Sequence, residues 1–143
     1  MDKEFFEKTA DFIVNYADKS HHAREEEILF PELKKDDVQM HCDPVPQMLY
    51  EHDEGRLFVK GLIEGLENVD VGAVVKNAMA YVSLIREHIY KEDNILYPMA
   101  DEALSDEAQK SMLVQFDEAE KIFASGARDR CLAIVKEFVN RGS

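Results

Sequence analysis

The chain has 143 residues, with 30 acidic against 17 basic side chains and a net charge of -13, a balance that excludes nucleic acid and anionic membrane as expected partners because the phosphate term would be repulsive. The length suits one domain, 1–143, able to bury a continuous core, and no apolar run of about 18 residues exists to span a membrane. The start MDKEFFEK has no basic region followed by an apolar stretch, and Cys42 and Cys131 make no disulfide framework, so a reduced, cytoplasmic protein is expected.

The hydrophobic period is helical throughout. A first helix is predicted over about residues 2–35, with Phe5, Phe6, Phe12, Ile13, Tyr16, Ala17, Ile28 and Leu29 on its stripe, Pro31 near its end and Lys34-Lys35 suited to its C-terminus. Residues 36–46 read as a loop with two prolines. A second helix, about 47–66, carries Met48, Leu49, Val59, Leu62, Ile63 and Leu66. The third, about 71–98, carries Val74, Val75, Ala78, Tyr81, Val82, Ile85, Ile89 and Leu96. Ser105 then reads as an N-cap for a C-terminal helical segment, 105–141, broken at Ser125-Gly126. Its stripe is Met112, Phe116, Ala119, Phe123, Cys131, Ile134, Val135 and Phe138. The expected fold is all-α, an antiparallel up-down-up-down four-helix bundle, with the C-terminal segment as the fourth wall, within the chain or across a two-fold dimer.

Two stretches, residues 21–31 and 88–98, repeat each other. Aligned without gaps, His21/His88, Glu25/Glu92, Ile28/Ile95, Leu29/Leu96 and Pro31/Pro98 are identical, while Arg24/Lys91, Glu26/Asp93 and Phe30/Tyr97 pair by type. In each, His and Glu stand at i, i+4 and so project from one helix face a turn apart. His52 follows Met48 by one turn on the second helix. Thus His21, Glu25, His52, His88 and Glu92 interrupt core-facing stripes on three helices. Carboxylates buried there without partners would cost several kcal/mol each. A first-row metal cation between them removes that cost, and two carboxylates from facing helices can bridge two metals. His22, with Asp18, Asn15 and Glu26 as helical neighbours, is expected on a wetter face. A single histidine on an apolar stripe is more often a hydrogen-bonded core residue; the repeated pair together with a third histidine reverses that balance. His41-Cys42 lacks a partner pair at zinc spacing, and the methionines read as packing residues rather than copper ligands.

The segments YADKSHHAREEEILFPEL, LYEHDEGR and REHIYKEDNILYPMA, in that order, resemble the hemerythrin-like family of His/Glu cation-binding helical bundles over about residues 12–99. The resemblance implies a non-haem di-iron centre, with zinc the less expected ion. His21 and His88 would be terminal ligands on different irons, Glu25 and Glu92 would bridge, and His52 would join His88. Where oxygen-carrying members place another histidine, this chain has Arg56, as in members responsive to iron, oxygen or nitric oxide. The family's usual preceding helix and its histidine have no counterpart before His21, so the second iron is expected to be incompletely ligated. His22 is the reserve ligand if the first helix rotates. The expected function is binding or sensing of a small diatomic ligand, oxygen or nitric oxide, or of iron, more in keeping with a non-enzyme. The alternatives are a di-iron enzyme acting on peroxide, oxygen or nitric oxide, with Tyr16, Tyr81 or Arg56 as candidate proton donors, and a metal-free interaction module.

Overall fold

The computed structural model describes residues 1–122 and 125–142, and among these every regular element is helical. Helix α1 runs without a break over residues 3–33, α2 is Val45–Glu67, α3 covers 71–103, α4 is Asp106–Ile122 and α5 is Ser125–Arg141. Short polar side chains start three of them. Asp2 accepts from the Phe5 N–H at 3.0 Å, Asp70 from the Ala73 N–H at 3.0 Å, and Ser105 from the Ala108 N–H at 3.1 Å, each satisfying an orphan donor of a first turn. The Ser105 cap lies where the sequence puts it.

The helices alternate in direction. Along α1 and α2, Asp18 meets Arg56 and Glu25 faces His52; along α2 and α3, Glu51 meets His88 and Gly65 meets Val74. Gly65 is needed there, because a Cβ would come within 3.0 Å of the Val74 nitrogen. The last wall is made in two pieces. Met112 of α4 is buried in the cluster of Ile28, Leu29, Leu96 and Leu104, with Phe116 packed on it. Helix α5 then returns along the first half of α1. Its Cys131 and Ile134 are buried, Phe138 packs on Phe5 with centroids 4.8 Å apart, and Arg141 reaches Asp2 at 2.9 Å. The architecture is an all-α helical bundle. Of the predicted C-terminal stripe, Phe123 lies outside the described residues, and Ser125-Gly126, where a break is predicted, are the first two residues of α5.

Three differences from the sequence expectation bear on the site. Helix α3 does not end at Pro98 but continues to Ala103. Its stripe is only partly used: Val74 and Leu96 are fully buried, whereas Val75, Val82 and Ile89 are exposed, because α3 packs closely on α2 while a cleft remains between it and α1. And α1 is not an α-helix along its whole length. Residues Ile13–His22 and Glu25–Leu29 are π-helical, as is Glu92–Leu96 in α3.

Candidate metal centre

The two sequence repeats fold alike, and proline accounts for it. Pro31 and Pro98 have no N–H to donate, and each ring crowds the carbonyl four residues earlier. Both helices open one turn just before the proline. The Phe30 N–H reaches back to the Glu25 carbonyl and the Tyr97 N–H to that of Glu92, both five residues away. In each repeat, then, the glutamate starts a π turn and the proline follows it. Such turns are rare, and they gather at functional sites.

The upstream π segment matters as much. The Ala23 N–H donates to the Asp18 carbonyl, and each such turn takes about one residue more than an α turn, so side chains beyond it sit at angles a strict 3.6 period does not give. His22, expected on the wetter face, is 7 % exposed and buried in the bundle. The His21 side chain is 46 % exposed and stands at the rim. The wider turn exchanges the two.

Four of the five predicted residues converge. Ligand atoms of Glu25, His52, His88 and Glu92, all buried, lie within 4.8 Å of one another, and those of His22, His52 and His88 form a second such group. The repeats are mirrored in distance: His21 Nε2 is 2.9 Å from Glu25 Oε1, and His88 Nε2 is 2.9 Å from Glu92 Oε1. His21 also approaches Glu92 at 3.5 Å, so it reaches both carboxylates from the rim. His52 Nε2 stands 4.0 Å from Glu25 Oε2, and its ring stacks on that of His22 with centroids 4.0 Å apart.

Behind the imidazoles lies a shell of carboxylates that sequence reasoning missed or left unassigned. Glu51, 4 % exposed, faces His88 Nδ1 at 3.1 Å and is held by Lys91 at 2.6 Å and Gln47 at 2.7 Å. With Nδ1–H donated to Glu51, the His88 Nε2 lone pair is left for the centre, the usual arrangement of a metal-binding histidine. Glu26 approaches His52 Nδ1 at 3.5 Å, and Asp18 approaches His22 Nδ1 at 3.7 Å. Arg56 ties these two carboxylates together, donating to Glu26 at 2.6 and 3.1 Å and to Asp18 at 2.8 Å. A signal for Glu51 existed in the sequence, since it stands one turn before Gly55 and beside His52, but only the tertiary pairing with His88 gives it a role.

The electrostatics are those of a donor set that favours a cation. Burial, and the adjoining Glu92 against the pull of His21, push the Glu25 carboxyl up to about 7. Burial also opposes ionisation of Glu92, yet the adjacent imidazoles of His21 and His88 hold it well below the usual carboxylate range. Burial, with the neighbouring His22 and His88, lowers His52 to about 4, keeping it a neutral imidazole. Among the described residues, six buried side-chain polar atoms have no hydrogen-bond partner: both oxygens of Glu25, both ring nitrogens of His52, Nε2 of His88 and Oε1 of Glu92. Such groups cost roughly 1–3 kcal/mol each when left unsatisfied, and six in one place form a donor set that a cation would satisfy. Imidazoles and carboxylates at this separation fit a first-row divalent or trivalent ion.

The hemerythrin HHE cation-binding domain family matches residues 2–100. The chain belongs to this family. No curated protein and no solved structure gives a match. Family membership and the cluster agree: the family binds metal ions, and among the described residues of this chain the His and Glu side chains that could hold one are gathered at a single place in the bundle. Non-haem iron, the ion expected from the sequence, would be held by Glu25, His52, His88 and Glu92, with His21 and His22 at either side.

Two clefts approach the centre. One, of about 420 Å³, lies between α1 and α3, has Phe12, Tyr16, Ile85 and Ile89 on its walls, and ends on His22, His88 and Glu92. The other, of about 370 Å³, reaches His22 and His52 past Val59 and Arg56. Tyr81 borders both; burial and the charge of Asp18 push its phenol up to about 12. Tyr97 also stays protonated, its phenol raised by burial and by the charges of Glu25 and Glu92.

Proposed function

We propose that this protein binds non-haem iron as a di-iron centre and uses it to bind or sense a small diatomic ligand, oxygen or nitric oxide. The observation that carries the reading is the convergence of six unsatisfied polar atoms on His and Glu side chains inside an HHE-family bundle. Two carboxylates from facing helices, each beside its own histidine, offer a pair of ions a bridge on either side. The apolar cleft between α1 and α3 supports entry of an uncharged ligand. No helix among the described residues is long and apolar enough to cross a membrane. Cys42 and Cys131 are free, and a cytoplasmic location is part of the same proposal.

The test is iron and zinc quantification per chain on protein made in iron-replete medium, with optical spectra before and after air and after nitric oxide. Two irons per chain with a ligand-dependent spectrum is the expected result; a chain without bound metal would leave only the metal-free interaction module. The enzymatic alternative has one observation in its favour, the protonated Tyr97 phenol beside the two carboxylates, since catalysis of peroxide or oxygen chemistry needs a nearby proton donor. Turnover with peroxide, lost in Tyr97→Phe, would select it.

A further inference from the structure

The two groups of donors around the centre are unequal, and the inequality assigns a role to His22. On the rim side stands one imidazole, His21, half exposed and touching Oε1 of both glutamates at 2.9 and 3.5 Å. On the deep side stand three buried imidazoles, His22, His52 and His88, with ligand atoms mutually within 4.8 Å. We propose that the deep imidazoles form the high-affinity cation position, with His22 as a direct ligand, and that His21 forms a second, weaker and exchangeable position across the two shared carboxylates. The inference rests on the metal-binding reading above and goes beyond it by ranking the two positions and naming the histidine that the first helix contributes to each.

Three observations carry it. The first is burial: His22, His52 and His88 are 7, 1 and 2 % exposed, so their donors are already free of competing water, whereas a ligand at His21 must displace it. The second is orientation. Each deep ring has a carboxylate at its Nδ1 side: Asp18 for His22, Glu26 for His52 and Glu51 for His88. At His88 the contact is a hydrogen bond, 3.1 Å to Glu51, which leaves Nε2 as the donor, while Glu26 and Asp18 stand farther from their rings, at 3.5 and 3.7 Å, as neighbouring charges. Such outer partners typically change metal affinity by 10–100-fold. Among the described residues His21 has no such outer carboxylate; its carboxylate neighbours there are Glu25 and Glu92 themselves. The third is shared anchoring. One guanidinium, Arg56, binds both Asp18 and Glu26, so the ring positions of His22 and His52 are set together and their stacking at 4.0 Å is maintained. Arg56 acts here as a positioning residue.

The local backbone makes this possible. With regular α-helical turns, His21 would share the stripe of Ala17 and Ile28, and His22 would face outward. The π segment Ile13–His22 turns His22 inward and leaves His21 at the edge, so adjacent residues serve the two positions.

The experiment is titration of metal-free full-length protein with Co²⁺ alone, followed by visible absorption, with bound metal counted after desalting. The wild type should fill in two steps, and desalting should remove only the second. His22→Gln should weaken the first step by at least tenfold, and Arg56→Gln should weaken it by a smaller factor with an altered absorption band. His21→Gln should remove the second step and leave the first intact. Circular dichroism establishes that each variant is folded; if His22→Gln is not, Asp18→Asn, which leaves the ring in place, should show the same selective weakening. Wild-type affinity in folded His22→Gln or Asp18→Asn, or loss of the tight step in His21→Gln, would overturn the assignment. A wild-type protein that binds no Co²⁺, Fe²⁺ or Zn²⁺ would instead overturn the metal-binding reading itself.

Discussion

Glu51 is the residue on which the orientation argument can be tested most directly, because it touches no predicted ligand atom. Its carboxylate faces His88 Nδ1 at 3.1 Å, and its other oxygen receives Lys91 at 2.6 Å and Gln47 at 2.7 Å. Glu51→Ala removes the acceptor that fixes the His88 tautomer. The loss of an outer-shell carboxylate corresponds to about 10–100-fold in metal affinity, or roughly 1.4–2.7 kcal/mol. Stability without metal should fall less, by about 1–2 kcal/mol, because Lys91 is 32 % exposed and can turn to water while His88 alone is left short of an acceptor. Glu51→Gln keeps an oxygen for the Nδ1–H and loses only the charge, so its affinity should lie between the two. Competition against a chromophoric chelator gives the affinities, and denaturant titration of the metal-free proteins gives the stabilities. Wild-type metal affinity in a folded Glu51→Ala variant would show that the carboxylate does not hold His88 for a metal, and would weaken the same argument for Asp18 and Glu26.

Metal should stabilise the fold by linkage: free metal at 100-fold above Kd adds about 2.7 kcal/mol, roughly 7–10 °C in Tm for a chain of this size, and equal melting with and without iron would contradict the site. The metal-free protein should lose stability towards both pH extremes. The carboxyls of Asp18, Glu26, Glu51 and Glu92 are held below their ordinary values, so their contribution is present above about pH 4.5 and is lost as pH falls through the folded values, about 2 for Asp18. The adjacent carboxylates of Glu25 and Glu92 raise His21 to about 10, so its contribution is full below about pH 6.5 and fades as pH rises towards 10. His21→Gln should flatten that alkaline limb in denaturant midpoints measured at pH 7 and 9.5, and an unchanged decline would remove His21 as its cause. Val69, exposed and β-branched at φ 56°, carries left-handed strain of about 1–2 kcal/mol; Val69→Asn should raise Tm, and a lower Tm would mean that its side chain does more than close the turn. Deleting everything after Ser105 removes the buried Met112, Cys131 and Ile134, whose side chains contribute roughly 1.5–3 kcal/mol each, and should give an insoluble or molten product; a folded, iron-loaded fragment would make α4 and α5 accessory.

The sequence by itself determined the helical class, the places where the helices start, and the pairing of His21 with Glu25 and of His88 with Glu92. These depend on local quantities: apolar residues at helical spacing, a capping Ser105, and side chains one turn apart on the same helix. It also placed His52 correctly in the interior, because α2 is a regular helix and a 3.6 period holds along it. What it could not determine was which of two adjacent histidines enters the bundle. The prolines were legible, but not that the chain upstream would widen into a π-helix over Ile13–His22, since that turn is stable only against the neighbours that fill it. Glu51, Glu26 and Asp18 look like ordinary acidic surface positions until α1, α2 and α3 bring them behind the imidazoles. The exposed half of the α3 stripe, Val75, Val82 and Ile89, has the same cause. Periodicity states which residues can be buried together, and only the packing of one helix against another decides which of them are.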